Sequence, residues 1–318
     1  MPEIIAENRL EESPCDLFNK QLDEWQLFIA NYNKYREACF GKIIFDNVPW
    51  KAGKILLNYR KGSITADLKA IGNGERPCFL CKSARPEQQR WIDWEDYEIL
   101  VNPYPVSSIH FTIASRKHAP QILDDRIVDM VKLTRIFQNG CVFYNGAKCG
   151  ASAPDHMHFQ VVDTAISDNF TSDLKCFDEG PAIGDSKIYM PHKDTTPFGY
   201  YLMEINSDKD IIPIYKTVVD SLPVDGDSPE PMMNVIAFRM GDTTRVVVIP
   251  RKKHRPSIYG SEAGMMLISP ASIEMTGTFI TSRHEDFDRL DNELTQMIYN
   301  EVGYTHDEFM DFKTRLQS

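Results

Sequence analysis

The sequence predicts an α+β protein made of two related halves. Apolar residues recur at helical spacing in residues 17–29 and 124–138, and short strand-like runs stand between and after these segments. The stretch Ile109–Ile122 also resembles Arg245–Ile258, with Ile, Lys, His, Pro and Ile recurring 136 residues apart. Because a repeat of this kind is a signature of duplication, we expect a pseudo-duplicated fold.

The predicted elements of the first half follow from periodicity and turn residues. An amphipathic helix is expected near Leu17–Ile29, and a second helix at residues 124–138 ends at Asn139-Gly140. Runs that are bounded by proline, glycine and asparagine predict the strands. These strands are Tyr97–Val101, Ile109–Ala114, Cys141–Tyr144 and His156–Val162.

The second half is expected to follow a connecting segment. Residues 177–200 are rich in glycine, proline, aspartate and lysine, which is typical of a loop. The prolines of residues 222–231 exclude helix and central strand from that stretch. Asn234–Arg239 and Arg245–Ile249 predict a hairpin, and Asp286–Leu316 predicts helix.

Composition and charge restrict the class of function. The 318 residues are 42% hydrophobic and 25% charged, which indicates a soluble globular protein. No apolar run reaches the roughly 18 residues of a membrane span, and the N-terminus lacks a signal-peptide pattern. The net charge of -11 argues against nucleic-acid binding. Seven cysteines without an export signal indicate reduced thiols, so we expect a cytoplasmic protein without membrane or nucleic-acid partners.

The segment Asp155–Val162 carries the strongest signal for chemistry. Side chains alternate along a strand, so His156, His158 and Gln160 are expected to share one face while Met157 packs behind them. Two imidazoles and an amide on one face serve a functional site better than a core. A half-exposed strand with incidental polar residues is the alternative.

A loop of small residues precedes this strand. The segment Tyr144–Pro154 contains glycines, alanines, one lysine (Lys148) and one serine (Ser152). Backbone N–H groups, an ammonium and a hydroxyl in such a loop can surround a phosphate. Most loops of this composition bind nothing, so the prediction of an anion site depends on the adjacent histidines.

Cys78 and Cys81 form the one CxxC motif of the chain. The pair alone is compatible with buried thiols, with a redox motif or with half of a zinc site. A tetrahedral zinc site needs two further ligands, for which His110, His118 and His156 are the candidates.

Together these motifs resemble the galactose-1-phosphate uridylyltransferase branch of the histidine-triad superfamily. The His-Met-His run is most similar to the GDP-hexose phosphorylases and the diadenosine tetraphosphate phosphorylases, and an uncharacterised bacterial group is a further candidate within the branch. The matching features lie within residues 56–162. They are the CxxC pair, Asn102-Pro103-Tyr104-Pro105 before a strand that leads to Lys117-His118, Asn145-Gly146, Gly150-Ala151-Ser152 and His156-Met157-His158-Phe159-Gln160.

The resemblance implies a histidine-triad-like α+β fold with two pseudo-duplicated halves, each an antiparallel sheet flanked by helices. Residues 1–190 would form the catalytic half, which holds the CxxC zinc site and the His-x-His-x-Gln motif. Residues 191–318 would form a second half without the catalytic motif.

The resemblance also implies a role for each matched residue. His158 would attack the α-phosphorus and become nucleotidylated, and Gln160 would hydrogen-bond the phosphoryl oxygens. The other matched residues form two sets: Asn145, Ser152, Arg60 and Lys61 would bind substrate and phosphate, and Cys78, Cys81, His118 and His156 would hold a structural zinc ion. Lys148, from the composition of its loop, would also help to bind the phosphate.

The implied activity is nucleotidyl transfer through a covalent nucleotidyl-histidine. Gln160 cannot act as a general acid or base near pH 7, which favours transfer over hydrolysis. We expect a phosphorylase of nucleoside-diphosphate sugars of the GDP-hexose type or of dinucleoside polyphosphates, with ping-pong kinetics. Exchange with a hexose 1-phosphate, as in the uridylyltransferases, is one alternative, and nucleotide hydrolysis or nucleotide binding without turnover is another. A homodimer is suggested by analogy with the family.

Overall fold

Ten strands drawn from both halves of the chain form one continuous antiparallel sheet. A computed structural model describes residues 10–57 and 77–317 of the protein. The strands in these two ranges are β1 (Cys39–Ile44), β2 (Lys51–Leu56), β3 (Trp91–Trp94), β4 (Tyr97–Val101), β5 (His110–Ser115), β6 (Gly140–Asn145), β7 (His158–Asp163), β8 (Phe177–Ile183), β9 (Ser186–Pro191), β10 (Tyr201–Ile205), β11 (Met233–Met240), β12 (Thr243–Pro250) and β13 (Thr278–Thr281).

The helices form where apolar residues recur at helical spacing. The predicted helix at residues 17–29 is two helices, because the backbone of Trp25 is extended (φ -102°, ψ 97°) and interrupts the ladder of hydrogen bonds. The predicted C-terminal helical segment likewise contains three helices. The helices are α1 (Pro14–Glu24), α2 (Gln26–Arg36), α3 (Ile127–Ile136), α4 (Ile211–Asp220), α5 (Ser272–Met275), α6 (His284–Arg289), α7 (Asn292–Val302) and α8 (His306–Gln317).

The order of the strands shows the duplication. The large sheet runs β3-β4-β5-β7-β6-β11-β12-β10-β9-β8. Each half therefore contains three consecutive strands, a helix (α3 or α4) and two further strands. In each half the last strand lies between the third and the fourth: β7 between β5 and β6, and β12 between β10 and β11. The halves meet where β6 pairs antiparallel with β11, and Asn145 lies opposite Asn234 there. This arrangement confirms the predicted α+β fold with two related halves.

The two faces of the large sheet are covered by different elements. One face packs against α1 to α4 and α8, whereas the other packs against α5, α7 and the small sheet β1-β2-β13. Alternation along β7 divides its residues, since Phe159 and Val161 enter the first core and Val162 enters the second. Gln160 shares the second face, which also bears the cavity described below. No helix in the described ranges is both long enough and apolar enough to cross a lipid bilayer.

The prediction that residues 177–200 form a loop is wrong for most of that segment. Strands β8 and β9 form a hairpin at the edge of the large sheet. Proline and glycine are tolerated in β8 because it is an edge strand, and its pairing is irregular between Glu179 and Ala182. Strand order places this hairpin with β10 to β12, while the proposed division into residues 1–190 and 191–318 stays a prediction.

The two similar sequence segments do not contain topologically equivalent strands. The similar stretches Ile109–Ile122 and Arg245–Ile258 align β5 with β12. By strand order, however, β12 is the counterpart of β7, and β5 is the counterpart of β10. Both stretches are a buried strand followed by basic residues, so their similarity reflects a shared local pattern, and the offset of 136 residues does not relate equivalent strands.

Candidate active site and metal centre

The turn before β7 separates the two histidines of the His-x-His-x-Gln motif. The prediction that His156, His158 and Gln160 share one strand face is correct only for the last two, because β7 begins at His158. His156 lies in a turn in which its N–H donates to the carbonyl of Ala153 at 3.1 Å. Its imidazole contacts the cysteine pair, whereas His158 and Gln160 lie on the sheet face that bears the cavity. Gln160 lines the cavity wall, and the buried His158 is not among the wall residues.

The imidazole of His158 has the tautomer that a nucleophile needs. Its Nδ1 lies 2.8 Å from the carbonyl oxygen of His156 and donates the hydrogen of that bond, which leaves the lone pair on Nε2. No hydrogen bond joins Nε2 to another side chain in the described ranges. The residue is only 2% exposed, and burial lowers the pKa of His158 to about 4. The ring is therefore neutral at pH 7, and Nε2 can attack an electrophile.

A buried glutamine, Gln121, bridges β6 and β7 beside His158. The Gln121 side chain donates from Nε2 to the carbonyls of Asn145 and His158, each at 3.0 Å. Its Oε1 accepts the N–H of His158 at 2.8 Å. The carboxamide thus replaces a backbone unit where β6 and β7 separate, and it sets the position of the nucleophile. Sequence reasoning missed this role, although Gln121 closely follows the matched Lys117-His118 pair.

A tyrosine and a glutamate extend this support away from the cavity. The Tyr144 hydroxyl donates to the carboxylate of Glu230 and lies 3.0 Å from the carbonyl of Gln121. The other oxygen of Glu230 accepts the N–H of Leu123 at 2.9 Å. Burial raises the pKa of Glu230 to about 7, against an ordinary value of 4.5. The carboxyl group consequently titrates near neutral pH in the folded protein.

This titration predicts that stability falls as pH rises through 7. Because the folded state binds the Glu230 proton more tightly than the unfolded state, the favourable contribution is complete below about pH 4.5 and is lost as pH passes the folded value. A shift of this size corresponds to at most about 3 kcal/mol. We expect Glu230→Gln to flatten the unfolding free energy between pH 5 and 8, measured by urea denaturation, and exposed Glu179→Gln to leave the profile unchanged. Parallel profiles for parent and Glu230→Gln would contradict this.

A cavity of about 640 Å³ opens on this face of the sheet. Most of its wall is apolar, which suits a planar aromatic ligand. Its polar wall residues are Gln89, Asn102, His110, Thr112, Asn145, Ser152, Gln160 and Ser282. Gly150 also lies in the wall with φ +94°, and a Cβ atom there would come within 2.4 Å of the Cβ of Ala271, so only glycine fits.

The predicted phosphate-binding residues divide into three groups. Asn145 and Ser152 line the cavity together with Gln160. Lys148 is exposed and is not part of the cavity wall. Arg60-Lys61 lies outside the described residues, although Leu57 at the end of the preceding range does line the cavity. The structure therefore brings together the neutral members of the predicted set.

His110 is a site residue that the sequence suggested only as a zinc ligand. Its Nε2 lies 2.8 Å from Oε1 of Gln160, so Nε2 carries the proton and the Gln160 amide nitrogen points away from His110. Both residues line the cavity. The bond leaves the Gln160 amide nitrogen to donate to a ligand.

The four predicted metal ligands converge at one point. The ligand atoms of Cys78, Cys81, His118 and His156 all lie within 4.8 Å of one another. Nδ1 of His156 is 3.3 Å from Sγ of Cys78 and 3.6 Å from Sγ of Cys81, and Nδ1 of His118 is 3.3 Å from Sγ of Cys81. His110 lies apart from this cluster, bonded to Gln160.

The chemistry of this cluster fits zinc. Two thiolates and two imidazoles are a common structural zinc set, and tetrahedral ligation separates sulfur from nitrogen by about 3.5 Å. Nε2 of His156 donates to the carbonyl of Ser115 at 2.7 Å, which leaves Nδ1 as the free ligand atom. Burial also lowers the pKa of His156, and this favours the neutral form that binds metal.

The equivalent position in the second half carries an ion pair instead of a catalytic motif. Gln160 is the third residue of β7 and pairs with Thr112 on β5. The third residue of β12 is Arg245, which pairs with Glu204 on β10 and contacts its carboxylate at 3.2 Å. The expectation that the second half lacks a catalytic site of its own stays a prediction.

Comparisons with known proteins support the fold. A family model described as a domain of unknown function, DUF4922, matches residues 17–163, and no curated protein matches the sequence. The crystal structure of yeast Ap4A phosphorylase Apa2 in complex with AMP is similar with a TM-score of 0.61 at 15% identity, covering 93% of this chain and 98% of that chain. The same yeast enzyme in complex with Ap4A gives a TM-score of 0.56 at 14% identity, covering 93% and 99%. The chain therefore has the histidine-triad-like fold of these structures.

Proposed function

We propose that the protein is a nucleotidyltransferase that forms a covalent nucleotidyl-histidine at His158 and transfers the nucleotidyl group to inorganic phosphate. The observation that carries the proposal is the bond from Nδ1 of His158 to the carbonyl of His156, which leaves a neutral Nε2 as nucleophile on the sheet face that bears the cavity. The overall likeness to yeast Ap4A phosphorylase supports this assignment.

The proposed reaction proceeds in two displacements. In the first, the Nε2 lone pair of His158 attacks the α-phosphorus, a P–N bond forms, and the bond to the leaving phosphate oxygen breaks. The carbonyl of His156 stabilises the positive charge that develops on the ring, because it already accepts from Nδ1. In the second, an oxygen of inorganic phosphate attacks the phosphorus, the P–N bond breaks, and a nucleoside diphosphate leaves with the imidazole neutral again.

Neutral donors in the cavity wall would hold the α-phosphoryl oxygens. The Asn145 and Gln160 side chains both line the cavity and can donate from their amide nitrogens. Hydrogen bonds of this kind strengthen as charge develops on the phosphoryl oxygens in the transition state. The apolar wall, which includes Phe79, Leu100 and Val106, would accommodate the base.

The Cys78, Cys81, His118 and His156 cluster would hold a structural zinc ion, which would cross-link the CxxC segment to the turn before β7. Arg85 supports the same segment through a buried ion pair with Glu98 on β4 at 2.6 Å. Together these contacts would fix the position of the His156 carbonyl, which orients His158.

The donor is proposed to be a dinucleoside polyphosphate or a nucleoside-diphosphate hexose, and product analysis tests both. Each donor is incubated with phosphate, with a hexose 1-phosphate, or with neither, and the products are separated by anion-exchange chromatography. We expect a nucleoside diphosphate only with phosphate present. A nucleoside monophosphate formed without an acceptor would establish hydrolysis, a new nucleotide sugar formed with a hexose 1-phosphate would establish exchange, and no product with any donor would overturn the proposal.

A further inference from the structure

Arg251 is a buried cation in the second half whose bonds go to neutral oxygens. It is 2% exposed, although it follows directly on β12. No carboxylate of the described residues lies within 4.0 Å of its guanidinium, and the charge of buried Glu274 acts on it from farther away. Its acceptors are the carbonyls of Val302, Pro270, Lys253 and His254 and the side-chain Oδ1 of Asn234.

The bond from Arg251 gives the Asn234 amide one direction. A guanidinium can only donate, so the atom of Asn234 that lies 2.6 Å from it is the carbonyl oxygen Oδ1. The amide nitrogen Nδ2 therefore points the other way. It donates to Oδ1 of Asn145 at 2.9 Å and to the carbonyl of Cys149 at 2.8 Å.

Donors from Ser272 independently fix the orientation of the Asn145 amide. Its Oδ1 accepts from the backbone N–H of Ser272 at 2.8 Å and from the Ser272 hydroxyl at 2.7 Å, in addition to the bond from Asn234. A backbone N–H is an unambiguous donor, so the oxygen of Asn145 faces the second half. The amide nitrogen is left for the cavity, which Asn145 lines.

We propose that Arg251 acts through Asn234 and Asn145 as a relay that makes the amide nitrogen of Asn145 a stronger donor towards a phosphoryl anion in the cavity. In a buried chain of hydrogen bonds each member polarises the next, and a charged first donor increases this effect. The described part of the cavity wall contains no lysine or arginine, so the relay lets a buried cation strengthen a neutral donor there. Arg251 and Asn234 of the second half would then act as positioning residues for a site in the first half.

The inference rests on the proposed binding of a nucleotide, and equilibrium affinity tests it without requiring turnover. AMP and GMP, each beside its nucleoside, are titrated calorimetrically into the full chain and into Arg251→Lys and Asn234→Asp. Lysine keeps the charge but cannot make the forked set of bonds, and aspartate turns lone pairs towards Oδ1 of Asn145 while giving Arg251 an ionic partner. The matched control is Arg245→Lys, which alters another buried arginine, located on β12 and paired with Glu204.

We expect both relay variants to bind the monophosphate about tenfold more weakly per folded molecule, with nucleoside affinity unchanged and Arg245→Lys equal to the parent. A purely structural role would lower monophosphate and nucleoside affinity together, and that outcome would overturn the inference. So would monophosphate affinities within twofold of the parent, or a parent that binds neither monophosphate. A parent that binds the monophosphate but forms no covalent adduct with a dinucleoside polyphosphate or a nucleoside-diphosphate hexose would instead reject the proposed function. That outcome would not contradict the relay.

Discussion

Replacing His158 with alanine is expected to abolish nucleotidyl transfer while the protein remains folded. The substitution removes Nε2, the proposed nucleophile, whose lone pair is set by the bond from Nδ1 to a backbone carbonyl. Removing a covalent nucleophile costs on the order of a thousandfold or more in rate. Turnover of the active donor is measured by product release, and thermal unfolding reports the fold.

The His158→Ala result is judged against a histidine that lies outside the site. His192 is partly exposed and contacts Asp178, so His192→Ala is expected to keep parental turnover. The loss in His158→Ala should also extend to the first half-reaction alone, because both displacements pass through the same nitrogen. If His158→Ala retained turnover within tenfold of the parent, the covalent mechanism would be excluded.

Replacing Cys78 with serine is expected to release the metal and to destabilise the protein markedly. A structural zinc ion contributes its binding free energy to folding, and a hydroxyl is a poor substitute for a thiolate ligand. We expect a loss of about 4 kcal/mol, which corresponds to a fall in Tm of roughly 10 °C for a chain of this size. Metal content is measured by mass spectrometry of the purified protein, and Tm by calorimetry.

Cys39 provides the matched control because its thiol is exposed and lies outside the cluster. Cys39→Ser is expected to keep the metal and the parental Tm. Turnover should fall in Cys78→Ser as well, since His156 would provide a ligand atom and its carbonyl orients His158. Parent protein that carries no metal, together with an unchanged Tm in Cys78→Ser, would reject the zinc assignment.

Local pattern was sufficient to predict most of the fold. The helix near residues 124–138 and the strands Tyr97–Val101 and Asn234–Arg239 form where periodicity and turn residues indicated. The β8–β9 hairpin was missed because glycine and proline in an edge strand give the same composition as a loop. Strand pairing, and with it the identity of the duplicated elements, depends on long-range contacts that local periodicity does not contain.

The candidate site was predictable where one segment carries it. His158 and Gln160 lie two residues apart on one strand, and Cys78 and Cys81 are close in sequence, so their chemistry was visible before their positions were known. Gln121 and Asn234 were not assigned to the site because their importance arises from partners that β6, β7 and β11 bring together. A buried carboxamide or guanidinium has no sequence signature apart from such partners.

The most direct test of the account is the mass of the intact protein after brief incubation without phosphate. The donors are dinucleoside polyphosphates and nucleoside-diphosphate hexoses, applied to the parent and to His158→Ala. We expect the parent to gain the mass of one nucleotidyl group, to lose it when phosphate is added, and His158→Ala to gain nothing. A parent that turns over donor without ever carrying the adduct, or an adduct of equal yield in His158→Ala, would contradict the assignment of His158 as the nucleophile.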